Sequence, residues 1–227
     1  MAFNPDAITF NAANALLLAE ASEAAYMTET EACDRMSQLG LPNFQWIDLS
    51  GIFQNLHAFA ASNNEIVILA FRGTADVKDW MTDLHATPVR FSWIFQGGPE
   101  VGEIHAGFGH ALSDGWRKVL AALNKVAPQP ALANTASVDA RRSLWITGHS
   151  LGGAIAALTG AAFSLLPDGV IRPVSGIYTS ASRGSDCITS AITMPVSSPR
   201  RHFAWSITKT SSRESPSGAG TTPMSEK

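Results

Sequence analysis

Apolar positions along this chain switch between short unbroken runs and helical spacing. Ala12–Tyr26 is apolar at most positions, with Leu16, Leu17 and Leu18 at its centre, and predicts an N-terminal helix. Asn55–Ala61 and Glu65–Phe71 flank Ser62-Asn63-Asn64, which predicts two strands joined in a hairpin. The second run, Ile66-Val67-Ile68-Leu69-Ala70-Phe71, has no polar position and predicts a strand covered on both faces, central in its sheet. From His105 onward, Phe108, Leu112, Trp116, Val119, Leu120, Leu123 and Val126 recur at three- and four-residue steps. That spacing predicts a helix of about eighteen residues with one buried face. Leu144–Thr147 predicts another buried strand, an Ala/Leu-rich helix continues to Leu166, and Val174–Thr179 predicts the next strand. A helix between two such strands implies parallel pairing and a right-handed crossover.

Between the last strand–helix pair lies Gly148-His149-Ser150-Leu151-Gly152. A Gly-x-Ser-x-Gly sequence set between a strand and a helix is the context of a nucleophile elbow, a bend too tight for side chains at its two glycines. Ser150 then projects from the strand end, with the positive end of the helix beneath any oxyanion that forms. His149 occupies the variable position and is read as structural. Arg72-Gly73-Thr74 leaves the central strand where a second oxyanion donor is expected. Two segments stay open between readings. Asp76–Leu84 places Val77, Trp80, Met81 and Leu84 on one side of a short helix, either packed on the core or serving as a lid. Thr87–Gly98, with Phe91, Trp93, Ile94 and Phe95, either packs as core or lines an acyl groove.

Composition narrows the field. A length of 227 residues suits one domain with a full core, and a net charge of −3 gives no electrostatic case for nucleic acid. Cys33 and Cys187 stand far apart, and the histidines lack ligand spacing, so neither a disulfide framework nor a metal site is expected. No Lys or Arg precedes Arg35, and Glu20 and Glu23 interrupt the first helix, against a secretory signal. No run reaches the roughly eighteen apolar residues of a membrane span. The expectation is a cytoplasmic chain with no transmembrane segment.

Five blocks in order, Phe71-Arg72-Gly73-Thr74, Asp79-Trp80 with Asp83-Leu84, His105-Ala106-Gly107-Phe108, Ile146 to Ala154 and Ile177-Tyr178-Thr179, resemble the class 3 (fungal-type) lipase family. The resemblance covers roughly residues 12–179. It implies an α/β-hydrolase fold, a mostly parallel sheet with flanking helices, and hydrolysis of carboxylic esters, typically triacylglycerols at an oil–water interface. It implies Ser150 as nucleophile, the N–H groups of Thr74 and Leu151 as oxyanion hole, Asp76–Leu84 as lid, and no metal or organic cofactor. Active phospholipase or feruloyl-type esterase chemistry, and non-catalytic binding to a lipid surface, remain open beside it.

Beyond Thr179 the character changes. Ser and Thr supply 18 of the 48 residues from Ser180 onward, without strand or helix period, which predicts a poorly packed tail over 180–227 and a hydrolase domain over 1–179 with its C-terminal strands and helices missing or disordered. The serine mechanism needs an acid and a base in the order Ser, Asp, His. After Ser150 the sequence offers only His202 as imidazole and Asp168 and Asp186 as aspartates. The family continues the last strand as Tyr-Thr-Phe-Gly-Gln-Pro-Arg-Val-Gly. Coded ACC TTC GGC CAG CCG CGG GTC GGA from that Thr and stripped of one T, it reads Thr-Ser-Ala-Ser-Arg-Gly-Ser, the sequence of Thr179–Ser185. Undoing the same shift around Ala204–Pro216 restores an Arg-Val-Val…Asp-Val-Val-Pro pattern with its Asp at the Thr210 codon, 60 residues after Ser150. The tail is therefore read as out of frame and the chain as lacking its catalytic Asp and His. Val174–Thr179 is expected to be left as an open apolar edge, an aggregation hazard.

Overall fold

The computed structural model describes residues 2–50, 56–73, 88–90, 103–128, 142–166, 174–180 and 189–193. Helix α1 spans Ala12–Ala24 and α2 Glu29–Gln38; strands β1 (Asn43–Asp48), β2 (His57–Ser62) and β3 (Ile66–Phe71) come next. A small pair, β4 (Pro88–Arg90) and β5 (Glu103–His105), precedes helix α3 (Ala106–Val126). Strand β6 (Ser143–His149), helix α4 (Leu151–Leu165), β7 (Val174–Ser180) and β8 (Thr189–Thr193) complete the order. Six strands form one sheet in the order β1-β2-β3-β6-β7-β8. Pairing is parallel in β3–β6 and β6–β7, and antiparallel in β1–β2, β2–β3 and β7–β8. It is a mixed sheet of the α/β-hydrolase type with helices on both faces, parallel at its centre and antiparallel toward both edges where a mostly parallel sheet was expected.

Alternation along the central strands explains why they read as unbroken apolar runs. Val67, Leu69, Phe71, Leu144 and Ile146 point to one face and pack with Val119, Leu123 and Val126 of α3 and Ile155 and Phe163 of α4. Ile66, Ile68, Ala70 and Trp145 point to the other and pack with Leu18, Ala21 and Ala24 of α1 and Met36 of α2. Neither face is left for water, so β3 keeps no polar residue and the polar side chain buried in β6 is that of Thr147. Each fully buried Leu, Ile or Phe contributes about 1.5–3 kcal/mol relative to exposure. The N-terminal segment adds to the second face: the Phe3 ring meets Trp145 edge-on with centroids 5.2 Å apart.

Local polar groups fix the joints. Asn63 Oδ1 accepts from the Glu65 and Ile66 N–H groups at 2.8 and 3.0 Å, which closes the β2–β3 hairpin. Asn11 Oδ1 accepts from Ala13 and Asn14 N–H and starts α1. Thr28 and Glu31 form a capping box that starts α2, a helix too polar to announce itself by apolar period. Ser62 Oγ donates to the Val126 carbonyl at 2.6 Å and ties β2 to the last turn of α3. Thr147 Oγ1, buried in β6, lies 2.8 Å from the Tyr178 carbonyl and 3.1 Å from that of Leu18, so it joins β7 and α1 through one hydroxyl.

Two further expectations change. Strand β1 and helix α2, unforeseen from the sequence, extend the sheet and cover its second face. At the other end β7 is not the open edge: β8 pairs with it from Gly176↔Thr193 to Ser180↔Thr189. The β-branched Thr189, Ile192 and Thr193 suit a strand, although the Ser/Thr-rich surroundings hide the signal. Among the described residues, no helix is long and apolar enough to cross a membrane.

The interior bonds give two expected outcomes. Thr147→Val removes the hydroxyl that joins β6 to β7 and α1, and should lower unfolding free energy by about 1–3 kcal/mol. The check is a urea midpoint that falls while the slope stays constant. The second concerns His57, whose imidazole burial pushes to lower pKa, reinforced by Arg72 and opposed by Asp48 3.7 Å away. Because the folded state resists protonation, stability is complete above the unfolded histidine range near about 6.5 and is lost as pH falls through the folded pKa. Thermal melts from neutral to mildly acidic pH should decline less steeply in His57→Gln; parallel declines would contradict this.

Candidate active site

The bend between β6 and α4 sits at the carboxyl end of the central parallel strands, where open α/β sheets place their ligands. Ser150 carries φ 53° and ψ −121°, and it is the only non-glycine residue with positive φ among those described. Those angles are the first central position of a type II′ turn, normally given to glycine. A serine held there stores on the order of 1–3 kcal/mol, which persists because the surroundings over-determine it.

Three contacts impose it. A side chain at Gly148 would overlap the backbone of Gly152, and one at Gly152 would overlap the carbonyls of Phe71 and Arg72. The first turn of α4 therefore presses directly on β6 and on the exit of β3. The Ser150 N–H donates to the Ser180 carbonyl at 2.9 Å, which ties the bend to the end of β7. The Gly153 N–H donates back to the Ser150 carbonyl at 2.9 Å as the helix begins.

Leu151 is the first residue of α4, so its N–H belongs to the helix N-terminus, where first-turn donors lack intrahelical acceptors and the dipole favours anions. The Leu151 side chain is buried in the α3–α4 face, which fixes the residue. Gly73 ends the described stretch after β3, and it lies against the His149 carbonyl. Thr74, the second expected donor, lies outside the described residues, as do the lid positions Val77, Trp80, Met81 and Leu84, the aromatic positions Phe91, Trp93, Ile94 and Phe95, and Asp168, Asp186 and His202. The structure thus brings together Ser150, Leu151 and the Arg72-Gly73 exit.

His149 turns away from the bend, as its place in the motif implies. Its Nδ1 shares a 2.8 Å hydrogen bond with the Tyr26 hydroxyl, and the two rings meet at 5.8 Å. Arg72 Cζ stands 5.6 Å from the centre of the same Tyr26 ring. Nothing in the sequence marks Tyr26, because it only closes the N-terminal helix there and its partner is 123 residues away. What the arrangement can do is hold a hydroxyl and a helix-terminal N–H on adjacent residues of a rigid frame, the juxtaposition acyl transfer requires.

The family model described as Lipase (class 3) matches residues 68–175, from β3 through the bend and α4 into β7. No curated protein matches the sequence. Among solved structures, the chain is similar to the native lipase propeptide complex of Rhizomucor miehei, with TM-score 0.49 and 18% identity over 75% of this chain and 53% of that one. It is similar to the nonglycosylated LIP2 lipase of Yarrowia lipolytica, with TM-score 0.48 and 18% identity over 78% of this chain and 58% of that one. The lipase of Rhizopus microsporus var. chinensis gives TM-score 0.48 and 22% identity over 76% and 58%. The chain spans a little over half the length of these relatives. The segment 68–175, which carries the central strands and the bend, is similar to the class 3 lipase family.

Proposed function

We propose that this chain descends from triacylglycerol-type lipases of lipid metabolism, with Ser150 as the nucleophile toward lipid or ester substrates at an oil–water interface, and that its own turnover is impaired. The observation that carries the first part is the strained Ser150 backbone at the strand–helix bend, since strain of this kind on a serine has no use in packing. Attack by Ser150 Oγ on an ester carbonyl would place the developing oxyanion near the Leu151 N–H, with Thr74 N–H as its second donor. The helix dipole of α4 favours the same charge.

Impairment rests on the residues after Thr179. A serine hydroxyl is a weak nucleophile unless a base accepts its proton and an acid orients that base. The residues matching the family end with Tyr178-Thr179, and Ser180–Ser185 equal the family sequence read one base out of register. In that reading the catalytic Asp codon yields Thr210, and His202 and Asp186 stand at positions unrelated to the triad. Oxyanion donors and substrate binding leave a residue of catalysis when triad members are absent, several orders of magnitude below a complete site.

A short-chain chromogenic ester is the direct test. The chain should hydrolyse it within about tenfold of its Ser150→Ala variant, whereas a complete triad would exceed that control by several orders of magnitude. Turnover a thousandfold above the control would sink the impairment. The nucleotide sequence after the Thr179 codon gives a second check: a neighbouring register should encode Phe-Gly-Gln-Pro-Arg-Val-Gly and later the Asp. The strain is tested separately. Ser150→Gly relaxes the backbone where Ser150→Ala keeps it, so the glycine variant should be at least as stable, despite the roughly 0.5–1 kcal/mol that glycine ordinarily costs. A glycine variant less stable by that amount would remove the strain argument.

A further inference from the structure

Arg72, Gly73 and His149, which flank the Ser150 bend, all meet one phenol. Residue 72 begins the exit of β3, and residue 149 ends β6; Phe71 pairs with Gly148, so Arg72 and His149 lie side by side in the next row. Tyr26, which comes just after α1 with its N–H donating to the Glu23 carbonyl at 3.0 Å, reaches that row from the α1 face. Its hydroxyl shares the 2.8 Å bond with His149 Nδ1. The guanidinium of Arg72 stands 5.6 Å from its ring centre, within the range of cation–π attraction. Gly73 packs against both the Tyr26 hydroxyl and the His149 carbonyl, so closely that no Cβ fits between them. Tyr26 is itself half-buried and held from behind, because α1 is bonded to β6 through the Thr147 hydroxyl at the Leu18 carbonyl.

We propose that Tyr26 is a positioning residue whose hydroxyl locks the Arg72-Gly73 exit against the His149-Ser150 bend, and so fixes where Ser150 and the Leu151 N–H stand. The inference rests on Ser150 being the nucleophile. Its physical basis is precision. Donors must lie within about half an ångström of the developing oxyanion, and displacement near 1 Å can cost up to about a hundredfold. Without the hydroxyl, the Arg72-Gly73 segment keeps its strand but loses the side-chain bridge that spans it and the bend. The cost should fall below the 10²–10³ that removal of an oxyanion donor brings.

A fluorophosphonate reads this without needing turnover: Ser150 Oγ forms a bond to phosphorus, fluoride leaves, and the hydroxyl proton passes to solvent, while the phosphoryl oxygen occupies the oxyanion hole. Adduct formation on the full chain, monitored by intact mass, should be slow in wild type and absent in Ser150→Ala. Tyr26→Phe should label about tenfold more slowly than wild type. His149→Leu should match it, His149→Asn, which keeps a polar atom where Nδ1 stands, should label within twofold of wild type, and the double variant Tyr26→Phe with His149→Leu should be no slower than either single one. Tyr26→Phe at the wild-type rate overturns the proposal, and so does His149→Asn as slow as His149→Leu. Loss of the folded state in Tyr26→Phe would make the hydroxyl a support of the fold instead, and overturns it too. Wild type and Ser150→Ala behaving alike would strike the nucleophile reading itself, and this proposal with it.

Discussion

The contact on which the site depends is the approach of α4 to two strands at once. Gly148 lies against Gly152, and Gly152 against the Phe71 and Arg72 carbonyls, at distances that leave no room for a single methyl group. An interior packed this tightly behaves as a solid, so the first turn of α4 can begin in one place only. That place forces Ser150 into positive φ. It also requires β3 and β6 to be neighbours in register, because the carbonyls that meet Gly152 belong to the end of β3. Parallel pairing and residues covered on both faces arise from the same demand.

How much of this is legible in the sequence varies with the kind of signal. Strands β3 and β6 and helices α1, α3 and α4 announce themselves, since continuous or three-to-four periodic apolar residues reflect burial that is local to the element. The bend is legible because Gly148 and Gly152 meet within five residues, although Gly152 also meets the distant Phe71 and Arg72 carbonyls. Helix α2 is not: only Ala32 and Met36 are buried in it, too few to set a period, and its capping box is the surviving clue. Strand β1 is hidden for a related reason, being half-exposed, with Phe44 and Trp46 sharing one face with polar neighbours between them. Tyr26 is hidden by distance along the chain, because nothing at residue 26 speaks of residue 149. Strand β8 is hidden by composition, since its pairing with β7 is carried by main-chain atoms that any sequence supplies.

That last point bears on how little the bend asks of the side chains after β7. The bond that β7 makes to the Ser150 N–H comes from the Ser180 carbonyl, a backbone acceptor. The Thr147 hydroxyl likewise uses the Tyr178 carbonyl. Tyr178 is also the last of the family-like residues whose side chain is built into the core; burial raises its phenol pKa, against a bond from the Asn11 N–H. These supports of the bend are therefore present by Ser180, whatever residues come next. Acid and base are different. They must be particular side chains at particular places, and no main-chain atom substitutes for them.

Frame and chemistry thus have different sequence requirements. A strained serine is kept in place by packing between β3 and the end of β7, most of it within the segment that matches the class 3 lipase model. Proton transfer, by contrast, needs groups drawn from after that segment. In most enzymes strain at a nucleophile is offset by the catalysis it enables. Here the backbone would hold the serine ready at the same energetic cost with or without a partner for its proton, because the glycines that impose the strain cannot sense what lies beyond β7.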